Sequence, residues 1–176
     1  MVDIDKLRNG EANEFKKLTL ILSGKVLNLA YHLTGNKEDA EDITQEVFIA
    51  VFKGLPNFKG ASEISTWVYS ITVNKCKEKT RRDLRQKRKG INVPLEKVDF
   101  FLSSQNTDVE LIQLEEEARM RNILLRIPEK QRIAFTMFTM EEFSYLEIAQ
   151  AMNLSLSAVE SLLFRARVNL KKIIKL

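Results

Sequence analysis

Apolar residues recur at steps of three and four along almost the whole chain, the spacing of a buried helix face and not of a strand. Between about 11 and 33, Phe15, Leu18, Leu22, Val26 and Leu29 line up as the stripe of one helix or a helix pair. Gly35-Asn36 breaks that pattern. Asn36 is suited to cap a helix over about 37–53, with Glu38 and Asp39 at the positive end of its dipole. Ala40, Ile43, Val47, Ala50 and Val51 form its inner stripe, and Glu38, Asp39, Glu41, Asp42, Gln45 and Glu46 take the other side. GLPNFKGASE, residues 54–63, reads as a loop. A helix over about 64–85 follows, with Ile64, Val68 and Ile71 inward and Trp67 beside them.

Gly90, Pro94 and an SSQNT cluster place a linker at 89–110, between a unit at 1–88 and a unit at 111–176. The linker is not a plain spacer, because Phe100 and Phe101 stand side by side in it. In the second unit Met120, Ile123, Leu124 and Ile127 form a stripe. Pro128 then suits the first position of a helix whose inner face is Ile133, Ala134, Met137 and Phe138. Ser144-Tyr-Leu-Glu147 has the form of a capping box opening a helix over about 144–152. Asn153-Leu154 makes a turn, and a last helix starts between Ser155 and Ser157 and runs to about 174. Its stripe is Val159, Leu163, Ala166, Leu170 and Ile173.

Those last two helices have helix-turn-helix proportions. Ala149 is small where they cross, Leu154 plugs the turn and Val159 anchors the second helix. Ser155, Ser157, Ala158, Ser161, Leu162 and Arg165 are then left on the outer side, at groove height. Arg167, Lys171, Lys172 and Lys175 follow where phosphates would lie, and Glu160 is the one acid among them. Glu160 is placed to cap its own helix through Ser157. An ordinary helical hairpin with a charged last helix has the same spacing.

Composition narrows the picture. The chain has 176 residues, 44% of them apolar, with only 6 Gly and 3 Pro. That supports an all-α fold of two small helical domains and argues against a turn-rich β protein. One cysteine, Cys76, excludes an internal disulfide and a Cys-built zinc site. One histidine, His32, leaves no His cluster for metal or for Ser-His-Asp chemistry. No enzyme activity, metal or cofactor is expected. No apolar run approaches the roughly 18 residues of a membrane span, and MVDIDKLRNGE is not a secretory leader. A cytoplasmic protein without membrane insertion is expected.

Net charge is +4, but it is uneven. Residues 75–89 hold nine basic and two acidic side chains, and 90–129 hold four and eight. Such a basic cluster favours a polyanion through counterion release. Tyr69 and Trp67 sit just before it, where stacking on a single strand and packing in the core are both open. Cys76 is read by default as a buried or neutral thiol; because it lies among the bases, which could lower its pKa, redox sensing is the alternative. GLPNFKGAS is not a phosphate-binding loop, since it lacks the Lys-Ser/Thr ending and the glycine spacing.

LRIPEKQRIAFTMFTMEEFSYLEIAQAMNLSLSAVESLLFRARVNLKK resembles the promoter-recognition region four of bacterial sigma factors. AYHLTGNKEDAEDITQEVFIAVFKGLPNFKGASEISTWVYSITVNKCKEKTRR is similar to their region two. The order of the two, and the linker, resemble the extracytoplasmic-function (ECF) group. DAEDITQEVF, STWVYSITVN and SYLEIAQAM with LFRAR carry the likeness together.

The resemblance implies a factor that binds core RNA polymerase, directs it to promoter DNA and helps open the duplex, under control of an anti-sigma factor. It implies that Asp39, Asp42, Gln45 and Glu46 face the polymerase; a divalent-metal site on the same helix face is the alternative. Residues 57–66 match a loop that captures an unstacked base of the −10 element, with Phe58, Lys59 and Ser62 as its candidates. Tyr69 and Asn74 would face the opened strand, and Lys75, Lys77, Lys79, Arg81 and Arg82 would hold its backbone. Ser157, Ala158, Ser161 and Arg165 would address the −35 major groove, with Arg167 and Lys171 on phosphates. Glu160 and Leu162 depart from the family, which commonly has basic residues there. A helix-turn-helix regulator acting without polymerase is the rival reading.

Overall fold

The computed structural model describes residues 2–88, 119–120 and 122–174, which form helices and turns with no strand among them. The linker at 89–110, with Phe100 and Phe101, lies outside the described residues, as does Lys175.

The first element, α1 (Ile4–Arg8), has too few residues to show a period. Asp3 caps it by accepting from the backbone N–H groups of Asp5 and Lys6. Helix α2 (Ala12–Thr34) is a single helix, with Leu18, Leu22, Val26 and Leu29 buried as the stripe requires. It ends on Gly35 at φ +77°, a left-handed turn that glycine adopts without strain. Asn36 then caps α3 (Lys37–Gly54), its side chain accepting from the Asp39 N–H at 2.8 Å. A 3₁₀ turn, Leu55–Asn57, leads into the loop and then α4 (Ile64–Arg88).

Beyond the linker, α5 (Glu129–Thr139) starts one residue after Pro128, which is its N-cap and not its first residue. Ser144 and Glu147 close the expected capping box on α6 (Tyr145–Met152). Asn153 at φ +53° ends that helix, and α7 (Leu156–Ile174) follows. Ser155 caps α7 by accepting from the Ala158 N–H at 3.2 Å. The expected Ser157–Glu160 cap is replaced by this bond, with the Ser157 hydroxyl 3.1 Å from that of Ser155. Leu124 and Ile127 pack against Ala166 and Leu170, but Met120 is exposed, because it lies off that contact.

The two units share one core. Helix α4 packs on α2 and α3 on one side and on α6 on another, while α2 also meets α5. Val68, Tyr69, Thr72, Val73 and Cys76 are buried on α4, while Ile64 and Ile71 are only half-buried. The expected inner stripe of α4 is thus half of the truth, because a second partner covers a second face.

Candidate functional site

Three surfaces gather the candidate residues. The first is α3. Asp42 and Gln45 are exposed, and so are Ile49 and Phe52, at 55% and 51%. Steps of three and four put all four on one line of the helix. The stripe is acidic at one end and apolar at the other. Ile49 and Phe52 were not singled out from the sequence, although the same spacing count would have found them. Asp39 and Glu46 sit at the edge of the face and turn to α4: Lys79 meets Asp39 at 2.8 Å, and Lys75 meets Glu46 at 3.1 Å. Lys79 also pairs with Asp83 at 3.2 Å. The bond that Lys75 donates to Glu46 raises the Lys75 pKa. The two acids and two lysines therefore brace α3 against α4 in this structure. Beside them opens a cleft of about 460 Å³ lined by Ile43, Glu46, Lys75, Lys79, Arg82 and Arg85. Among the described residues no group of His, Cys, Asp and Glu is arranged to hold a metal ion.

The second surface is the loop and α4. Phe58 is not free to stack on a base: it is 7% exposed, its ring 4.9 Å from that of Trp67. Trp67 in turn lies over Gly54, where a Cβ would stand 2.9 Å from the indole. Both aromatics anchor the loop. Lys59, Gly60 and Ala61 are exposed and Ser62 is partly so, so of the three candidates in the loop Lys59 and Ser62 are the open ones. Asn74, Arg81 and Arg82 are exposed along α4.

Tyr69 is instead closed off. It is 4% exposed, with its ring edge-on to Phe143 at 4.5 Å. Burial, helped by Glu141 and Glu147, pushes its hydroxyl up to about 12. Lys77 is half-buried at the same seam, and desolvation lowers its pKa in spite of Glu129. Cys76 is 3% exposed, and burial pushes its thiol up to about 12 even with Arg132 nearby. The default reading of Cys76 as a buried, neutral thiol therefore agrees with the structure, and the redox alternative has no support in it. A thiol reagent is expected to modify native Cys76 at least about 100-fold more slowly than the denatured chain. Equal rates would show that the seam between the units is not formed.

The third surface is α7. Ser157, Ser161 and Arg165 are exposed on its N-terminal half and Ala158 is partly so, while Val159 and Leu163 are buried beneath them. Arg167 is exposed but lies 5.6 Å from the centroid of Phe138, so its guanidinium also packs on α5. Lys171 is exposed one turn on. Ala149 is 5% exposed at the helix crossing, as the tight approach demands.

A helix-turn-helix pair, joined to a helix rich in basic residues and a helix with an exposed acidic and apolar stripe, is the make-up of a DNA-binding transcription factor. The chain matches the family model "Sigma-70 region 2" over residues 22–87 and "Sigma-70, region 4" over 117–170. It is 30% identical to the RNA polymerase sigma-H factor of Pseudomonas aeruginosa, over 96% of this chain and 90% of that one. It is 29% identical to the ECF RNA polymerase sigma-E factor of Escherichia coli, over 93% and 88%. Its fold is similar to that of RpoE from Bartonella quintana, solved with the anti-sigma factor NepR, at a TM-score of 0.73 and 20% identity over 94% of this chain and 99% of that one. CnrH, solved with the cytosolic domain of CnrY, gives 0.72 and 20% over 98% and 94%. The chain belongs to the RNA polymerase sigma factors, in the ECF group.

Proposed function

We propose that this sigma factor binds core RNA polymerase through the exposed stripe of α3. It receives the opened −10 strand on the 57–63 loop and the exposed side of α4, and reads the −35 element with Ser157, Ala158, Ser161 and Arg165. The observation that carries this is the sharing of surfaces: one chain exposes a mixed acidic and apolar stripe, an open basic helix and a free groove-reading helix. A regulator that worked without polymerase would have no use for the first. Lys75 and Lys79 support the strand only indirectly here, as braces, and of the candidates Arg81 and Arg82 are the open cations, with Arg85 and Arg88 also exposed.

Tyr69 and Lys77 reach DNA in this reading only after the two units part. The closed arrangement leaves the −35 surface open and hides the aromatic next to the melting strand. We infer that parting accompanies polymerase binding, and that an anti-sigma factor, like the one solved with RpoE, works on the free chain. The factor acts where the polymerase is, in the cytoplasm, and no described helix is long and apolar enough to cross a membrane.

Transcription in vitro by core polymerase, with and without this protein, tests the reading. Defined start sites are expected only with it. Arg165→Ala should weaken −35 discrimination by about tenfold, the worth of one good base contact, and spare a preformed bubble. Unchanged promoter choice would make Arg165 structural.

A further inference from the structure

Helix α1 reaches the base-receiving loop through its last residue. Arg8 Nε donates to the Phe58 carbonyl oxygen at 2.9 Å. Its guanidinium carbon lies 5.9 Å from the Phe58 ring centroid. One Arg8 nitrogen, Nη2, stands 3.6 Å from where a Cβ on Gly60 would be, so the guanidinium underlies the turn that Gly60 makes at φ +71°. Two contacts of different kinds, fifty residues apart in sequence, thus hold one peptide.

The other end of α1 is fixed as well. Leu7 is 1% exposed in the core. The Asp3 N–H donates to the carboxylate of Glu14 on α2 at 3.2 Å, and that carboxylate also takes a bond from Lys17. Asp5 meets Arg8 at 3.4 Å. The guanidinium is therefore tied to the body of the protein on one side and to the loop on the other. A planar, forked cation suits this work better than a flexible ammonium.

The loop has little else to hold its tip. Phe58 anchors its root, and beyond it Lys59, Gly60 and Ala61 are exposed. Receiving an extruded base costs a few kcal/mol of lost stacking, so a pocket that must also order itself on binding starts at a disadvantage. Fixing the 58–59 peptide in advance sets where Lys59 and the Ser62 hydroxyl point.

We propose that Arg8 is a positioning residue for −10 base recognition: α1 is a strap that holds the 57–63 loop in its base-receiving shape before DNA arrives. This rests on the reading of that loop as the base pocket. The test uses the full chain with core polymerase on fork DNA, changing each unpaired −10 base in turn. Arg8→Ala is expected to cut the preference at one base position by about tenfold, the scale of a lost charge-assisted hydrogen bond. Other positions, and polymerase affinity, should hold. Arg8→Gln, whose amide can still donate to the Phe58 carbonyl, should restore most of the preference without the charge.

If Lys59→Ala or Ser62→Ala shifts the preference and Arg8→Ala does not, the strap is wrong and the pocket stands. Should none of the three shift it, the pocket itself fails and the strap with it. A loss spread evenly over all positions, rescued by Arg8→Lys but not by Arg8→Gln, would make Arg8 a phosphate contact and overturn positioning.

Discussion

Asp42→Arg combined with Gln45→Arg is expected to weaken binding to core RNA polymerase by at least about 100-fold while the chain stays folded. A hundredfold corresponds to about 2.7 kcal/mol, within the range for placing the wrong charge in a desolvated contact. Both positions are exposed on α3, so the substitutions disturb no buried packing. They sit in line with exposed Ile49 and Phe52, so the surface they spoil is continuous. Asp39 and Glu46 are less clean targets, because changing them also cuts the braces to Lys79 and Lys75. A competition assay against core enzyme, read beside a thermal melt, decides the matter. Repeating it at higher salt separates the contact from long-range steering, which salt screens. A folded double variant that binds as the wild type does would remove α3 as the polymerase face.

Periodicity carried most of the helices. The stripes of α2, α3 and α7 are buried except for Phe15, Ala50 and Ile173, which are half-buried, and the caps at Asn36 and Ser144 form with the expected partners. Helix α4 shows where such reading stops. A helix packed on one neighbour has one stripe, but α4 is packed on two sides, and its second buried face includes Tyr69 and Cys76. Nothing local distinguishes a tyrosine kept for DNA from one covered by Phe143. The lysines of the basic run have the same ambiguity: charge is read from sequence, whereas pairing with Asp39 or Glu46 depends on a contact between helices. The resemblance puts Phe58 among the base-receiving residues of the loop, yet Trp67 and Arg8 lie against its ring. Helix α1 is below the length at which a period can be counted, so Arg8 had no signal at all.

The seam between the two units should respond to pH, and Glu141 sets the direction. It lies between α5 and α6 at 9% exposure. Burial pushes its carboxyl up from 4.5 to about 7, against the pull of Lys25 on α2. Besides Lys25, the titratable groups at this seam are Tyr69, Cys76 and Lys77 on α4, Glu129, Lys130 and Arg132 on α5 and Glu147 on α6, and Glu142 beside it is exposed. In the parted state Glu141 returns to water and to its ordinary value. The neutral acid suits the closed arrangement and the carboxylate does not. Closure is therefore strongest below about pH 4.5, weakens as pH climbs toward 7, and loses nothing further once both states are ionised. With those two values the ratio of open to closed chain should rise by up to about tenfold between pH 6 and pH 8; partial contact with solvent makes that a ceiling. Energy transfer between dyes placed at the exposed positions Lys16 and Lys172 would follow it. Glu141→Gln, an amide that stays neutral, should flatten the profile near the closed level seen at low pH. A wild-type profile without slope, or a slope that survives in Glu141→Gln, would mean that some other contact governs how the melting helix is uncovered.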